Sequence, residues 1–346
     1  MMRKLMAAVL AVSLLIAAAP TTNAAAKSGP DGFLKAVSLP LMPARWGGLY
    51  DEPEKPLPDS GDTGFIAEVE GWTPMFVASG LPVLFDEADP AATVITDRAG
   101  LEAMTEGNYV LGADIDLTGI GWTPLDIRGN VTLDGQGHTI KGLTMDMAGK
   151  DRNGGLFSKV DGDLTVKNLR MERWDLTMNS DYTAYYAGMI AGKVEEKLTL
   201  ENIAGVHLYI KMSGSKVGST GGLIGEATGE AVLRNISAET TIFRDPDLAG
   251  NEMELGYSAY LGGVLGFSPS GILVENCYAK TDLGTEDLAT SVGGFTGGQQ
   301  GASIRYANCM VDTTIDACYT CGGLIGRNTS SENRSCRWKT VWCWAN

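Results

Sequence analysis

Between residues 142 and 326 a glycine step of the form Gly-Gly-apolar-apolar-Gly returns six times, and no other feature limits the fold so strongly. The clearest copies are Gly221-Gly222-Leu223-Ile224-Gly225, Gly262-Gly263-Val264-Leu265-Gly266 and Gly322-Gly323-Leu324-Ile325-Gly326. Looser ones start at Gly154, Gly188 and Gly293. Fourteen or fifteen residues after the start of each of the first five steps stands an asparagine: Asn168, Asn202, Asn235, Asn276 and Asn308. Their spacing is 34, 33, 41 and 32 residues. A period in that range marks a chain built of stacked supersecondary units, each burying its apolar face against its neighbours.

Apolar residues keep fixed offsets from each asparagine. Leu164 and Val166 precede Asn168 by four and two positions, and Leu169 and Met171 follow it by one and three. Even offsets before and odd offsets after describe a strand with one buried face that changes parity at the asparagine. Such a corner requires a left-handed backbone conformation, which asparagine and glycine tolerate best. Ile140, Gly142, Leu143 and Met145 show the same frame, so Gly142 is expected to begin the column of corner residues. Strand, bend, strand and glycine turn, once per period, predict an all-β right-handed parallel β-helix. Equivalent residues would stack roughly 4.8 Å apart and the asparagines would form a hydrogen-bonded ladder.

At these residues the chain resembles the GLUG-motif proteins, bacterial exported and surface proteins with pectin-lyase-like β-helices. The resemblance spans about Val94 to Gly326 and includes Tyr109 to Leu117, Trp122-Thr123-Pro124 and Leu133 to Ile140. It implies a secreted or cell-surface, adhesin-like protein. GLUG-like repeats also occur in larger peptidases, but there is no His-Glu-x-x-His and the chain has only two histidines, so only a non-catalytic part of such a protein is expected.

The remaining segments fall around that solenoid. Arg3 and Lys4 precede an apolar run, Leu5 to Ala19, and small residues near Ala24 and Ala26, the pattern of a signal peptide over residues 1–26. Residues 27–92 form a leader rich in proline, glycine and acid, whose Phe65 to Phe85 part is expected to pack on the first coil. It repeats Gly-Trp-Thr-Pro, at Gly71 to Pro74 and Gly121 to Pro124. A short helix capped by Thr96 or Asp97 is expected to cover the N-terminal end of a solenoid running over residues 93–326. Loss of residues 1–26 removes two of the 27 basic residues and none of the 42 acids, giving 25 − 42 = −17. So acidic a chain is a poor partner for nucleic acid. With residues 1–26 removed, no transmembrane segment is expected. Residues 327–346, with three tryptophans, are read as an atypical tail in which the repeat stops.

All six cysteines follow residue 276. Cys277 and Cys309 share a frame position and are read as buried thiols, while Cys318-x-x-Cys321 suits a local disulfide or two free thiols rather than zinc.

Carboxylates of the first coils, Asp114, Asp116, Asp126 and Asp134 with His138 nearby, are the only acids to weigh for catalysis. A glycosidase needs two carboxylates about 5 to 9.5 Å apart. Nothing in the spacing fixes such a pair, and no catalytic residue is assigned. The acidic insertion Arg244 to Gly256 carries Asp245, Asp247, Glu252 and Glu254, enough oxygen for calcium and equally the composition of a solvated loop; no cofactor is assigned. Tyr182, Tyr185, Tyr186, Tyr257 and Tyr260 end just before glycine steps, where aromatic rings either stack on ligands or sit half-buried in strands. The expected function is a non-catalytic module for surface binding to glycan or protein, or for structural display. The alternatives are a polysaccharide lyase or glycoside hydrolase using acids of the first coils, and a non-catalytic part of a larger surface peptidase or adhesin.

Overall fold

A computed structural model describes residues 89–147, 153–179, 186–213, 218–244, 260–284, 291–300, 303–316, 320–328 and 337–345. These residues form a parallel β-solenoid with three faces, of thirteen, seven and four strands. Each complete coil runs from a short strand such as Ser219–Gly221, through the glycine step, into Ile224–Ala227, and then into a long strand such as Ala231–Arg244. No helix among the described residues is long and apolar enough to cross a membrane.

The core is a set of inward columns whose members stand opposite one another in register. Leu164, Leu198, Ala231, Ile272 and Ile304 form one, and Val166, Leu200, Leu233, Val274 and Tyr306 another. All are buried. The asparagines turn the long strand: Asn168, Asn202, Asn235, Asn276 and Asn308 have φ between 52° and 56°. Each side-chain amide donates to the oxygen of the previous one, Asn202 to Asn168 at 2.8 Å, Asn235 to Asn202 at 2.9 Å, Asn276 to Asn235 at 3.3 Å and Asn308 to Asn276 at 3.0 Å.

Gly142 does not belong to that column. Lys141 pairs with Glu172 and Thr144 with Asp175, so Gly142 stands opposite Arg173, which in turn lies opposite His207. These three have φ of 70°, 56° and 55° and form a second left-handed corner. The same offsets recur around it, with Met171 two before Arg173 and Trp174 and Leu176 one and three after, which is why the sequence frame alone confuses the two corners. The next coil drops this corner: Gly205 pairs with Ala238 and Leu208 with Thr240, so Val206 and His207 face the single residue Glu239.

Helix α1, Arg98–Glu102, is capped by the Asp97 carboxylate, which accepts from the Gly100 N–H at 2.9 Å. At the other end the repeat continues beyond Gly326. The strand Arg337–Ala345 pairs in parallel with Ile304–Asp316, setting Trp338, Val341 and Cys343 opposite Tyr306, Cys309 and Val311. The expected asparagine is replaced by Thr340, yet the apolar offsets are kept.

Candidate functional site

The glycine step folds two faces of the solenoid against each other with no room for side chains between. A Cβ on Gly225 would overlap the Gly192 carbonyl and lie 2.7 Å from the Ala187 nitrogen, and one on Gly266 would lie 2.8 Å from the Thr220 backbone. The second glycines of the steps, Gly222 and Gly263, lie against Thr240 and Thr281 of the long face. So sharp a corner brings together, on its outer side, the residue two before the first glycine of the step and the one seven positions later.

These pairs form a ridge along the solenoid axis: Tyr186 with Lys193, Ser219 with Glu226, Tyr260 with Phe267, Ser291 with Gly298 and Thr320 with Arg327. Lys193 Nζ lies 5.1 Å from the centre of the Tyr186 ring, a cation–π contact. The Tyr260 and Phe267 rings stack with centroids 4.4 Å apart and planes 17° from parallel. Gly298 provides the seat for this stack, since a Cβ there would overlap the Tyr260 ring. Tyr186 and Tyr260 are two coils apart, roughly 9.6 Å at the spacing of parallel strands.

A charged network underlies the ridge. Lys193 Nζ is 3.2 Å from Glu195 and 3.5 Å from Glu226, and Lys159 bridges Glu195, at 3.0 Å, and Asp161, at 2.6 Å. Thr228 donates to the second Glu195 oxygen at 3.2 Å. Burial pushes the Glu226 carboxyl above its ordinary pKa, only partly opposed by Lys193. Burial acts on Glu195 in the same direction, but the ammonium groups of Lys159 and Lys193 outweigh it and hold that carboxyl low. Burial also raises the Tyr186 hydroxyl, with Glu226 adding to the effect. The two carboxyls that share Lys193 are thus pushed in opposite directions.

Of the tyrosines singled out in the sequence, Tyr186 and Tyr260 lie in one column of this ridge. Tyr182, Tyr185 and Tyr257 lie outside the described residues, as does the acidic insertion from Asp245 to Gly256. Lys193, Glu226 and Phe267 had not been singled out. Their signal is the constant seven-residue spacing across the glycine step, legible only once the step is known to be a corner rather than an open turn.

Three acids of the first coils, Asp134, Asp114 and Asp116, are engaged otherwise. Asp134 accepts from the Asn168 amide at 2.9 Å, the Gln136 N–H at 3.0 Å and the Gln136 amide at 2.7 Å, and lies 3.3 Å from Lys167 Nζ. A carboxylate offers about four acceptor sites. Asp134 fills them as the terminal acceptor of the asparagine ladder. Asp114 is held below its ordinary pKa chiefly by the Thr139 N–H, and also contacts His138 Nδ1 at 3.0 Å. His138 therefore faces Asp114 and not the core. Asp116 is held low chiefly by the Thr118 hydroxyl, then by its N–H, with Lys141 at 3.5 Å. A general acid requires the opposite shift. Among the described residues no group of three or more His, Cys, Asp or Glu is placed to hold a metal ion.

Cys277 and Cys309 are buried free thiols. The flanking pairs Glu275–Ala307 and Tyr278–Met310 set them opposite each other, and burial, with the neighbouring Cys309 thiol, drives the Cys277 pKa well up. Cys321 is disulfide-bonded. Neither a protein family, nor a curated protein, nor a solved structure matches the chain.

Proposed function

We propose that this chain is an exported, non-catalytic β-solenoid that binds a glycan or protein at a surface through the ridge of Tyr186, Lys193, Ser219, Glu226, Tyr260 and Phe267. One observation carries the reading: aromatic rings stand on the outside of the tightest corner of the fold, held there by a ring stack and a cation–π contact instead of being absorbed into the core. Rings fixed in advance lose little entropy on meeting a ligand, and their amphipathic faces suit sugar rings and protein surfaces alike. The GLUG-like repeat and the signal-peptide pattern of residues 1–26 support export, and the disulfide at Cys321 fits an oxidising compartment. The engaged state of Asp114, Asp116 and Asp134 favours binding without turnover.

The test is a panel of glycans and host-surface proteins, with and without calcium, against the purified chain and its Tyr186→Ala and Tyr260→Ala variants. Binding that falls at least about tenfold in both variants, the loss of roughly one aromatic contact each, is the expected result. Release of shortened glycan would instead establish the carbohydrate-active alternative and redirect attention to Asp114 and Asp116. Binding that ignores both substitutions removes the ridge from the reading.

A further inference from the structure

The inward column that follows the asparagine ladder changes character along the axis. Leu169, Ile203 and Ile236 stand opposite one another, and in the next two coils Cys277 and Cys309 take their place, each directly after a ladder asparagine. Both cysteines belong to the continuous core, with 2% and 1% exposure. The two thiols fill less volume than the branched side chains before them, and they bond only weakly. Cys277 donates to the Glu275 carbonyl at 3.2 Å and the Leu233 carbonyl at 3.7 Å, and Cys309 to Ala307 at 3.3 Å and Val274 at 3.6 Å. Two small side chains side by side in a close-packed interior call for a reason beyond packing.

The register fixes how these thiols meet. The Asn276 N–H donates to the Ala307 carbonyl at 3.0 Å, the Met310 N–H to the Cys277 carbonyl at 2.9 Å, and the Asn308 amide to Asn276 at 3.0 Å. Bonds on both sides thus hold the two cysteines opposite each other, in coils roughly 4.8 Å apart, with their thiols in hydrogen-bond contact. A disulfide spans Cα separations of about 4.4–6.8 Å and prefers Cβ atoms about 3.5–4.5 Å apart. Side chains projecting in parallel at the coil spacing meet the first condition and fall slightly outside the second. The bond therefore closes with a slight approach of the two coils, which strains it, and a strained disulfide is readily reduced.

We infer that Cys277 and Cys309 are a reversible dithiol, closing to a disulfide that ties two adjacent coils together. The thiols described above are its reduced form. Closure takes an oxidant that is itself a disulfide. One cysteine thiolate attacks a sulfur of the oxidant, forming a mixed disulfide and releasing one thiolate; the other cysteine then attacks the protein-bound sulfur and releases the second. Two electrons pass from the cysteine sulfurs to the oxidant, and the two thiol protons go to the thiolates it leaves. The tie joins residues 260–284, which carry the stacked Tyr260 and Phe267 rings, to residues 291–316, which carry Gly298, the seat of the Tyr260 ring. Oxidation fixes the ring stack on its seat, and reduction lets the two coils open separately. The tie itself does not depend on what the ridge binds.

The test incubates the full chain, with these thiols free, in oxidised and reduced glutathione at a urea concentration low enough to open the coils only transiently. Remaining thiols are then alkylated in denaturant and the digest is mapped by mass spectrometry. The expected product is a peptide linked through Cys277 and Cys309, lighter than its reduced parts by the two thiol hydrogens. It should reopen at a reductant concentration at least about tenfold below that needed for the disulfide at Cys321. After oxidation the amides of Leu265–Ser268 and Thr296–Gln299 should exchange at least about tenfold more slowly, with Leu164–Asn179 unchanged. Cys309→Ala, which keeps a small apolar side chain, should abolish the linked peptide and the slowing together; Cys277→Ala should do the same, so the result does not hang on the folding of one variant. Glutathione left on either cysteine without an internal link overturns the inference. So does a link from either one to a different cysteine, a bond as resistant to reduction as that of Cys321, or a linked chain whose exchange is unchanged.

Discussion

Each ladder asparagine does two separable things: it adopts φ near 54° and it relays a hydrogen bond between coils. Asn235 sits mid-ladder, donating to Asn202 and accepting from Asn276. Asn235→Gly keeps the left-handed corner and loses the relay, costing about 1–3 kcal/mol; Asn235→Ala adds a left-handed penalty of about 1–2 kcal/mol. Urea unfolding should therefore rank Ala below Gly, and equal losses would show that the corner conformation carries no strain. Glu226 gives a pH prediction of definite sign. Its native pKa lies above the ordinary 4.5, so between these values the folded chain holds the proton more tightly than the unfolded chain. The stability it contributes is present below 4.5 and is lost as pH rises through the native value. Glu226→Gln, which cannot titrate, should gain on the wild type as the pH of urea titrations is raised from acid to neutral; a constant gap would mean that the carboxyl is not desolvated. At this scale the asparagines were legible because asparagine is among the few residues enriched at positive φ. Arg173 and His207 were not, since an arginine carries no such signal and tertiary stacking alone holds it there.

Among the elements, the glycine step decides the shape of the coil, and it does so by space more than by conformational freedom. Gly225→Ala would drive a methyl group into backbone that cannot yield, Gly192 O and Ala187 N, so a loss of about 3 kcal/mol or more, with poor soluble yield, is expected. Gly121→Ala is the control: a Cβ there meets nothing within 4 Å, and its melting temperature should barely move. Equal tolerance at both positions would contradict the close packing of the corner. The repeat of these steps was plain in the sequence, but their consequence was not. Periodicity shows that a turn recurs; only the folded coil shows that residues seven apart meet across it. The last strand was missed for the opposite reason. Asparagine is not the only mark of a coil: Thr340 stands in its place, and backbone pairing sets Trp338, Val341 and Cys343 opposite Tyr306, Cys309 and Val311.

The described coils form a nearly one-dimensional stack: each packs on its neighbours, and stability is a sum of coil terms and interface terms. Buried groups therefore report on local opening of their own coils. Cys277 and Cys309, free and buried in adjacent coils, should resist alkylation in the native chain and react once denaturant opens those coils, with Cys277 held back further by its raised pKa. Rapid labelling without denaturant would show that this part of the solenoid is open. The same logic predicts a gradient of hydrogen exchange along the axis. Leu198–Ser213 is paired on both sides over most of its length and should exchange slowest, while Ile325–Asn328, the last described strand of the seven-stranded face, should exchange faster. Exchange that is uniform along the axis would mean that the coils open together, contradicting a stability built from separate coil and interface terms.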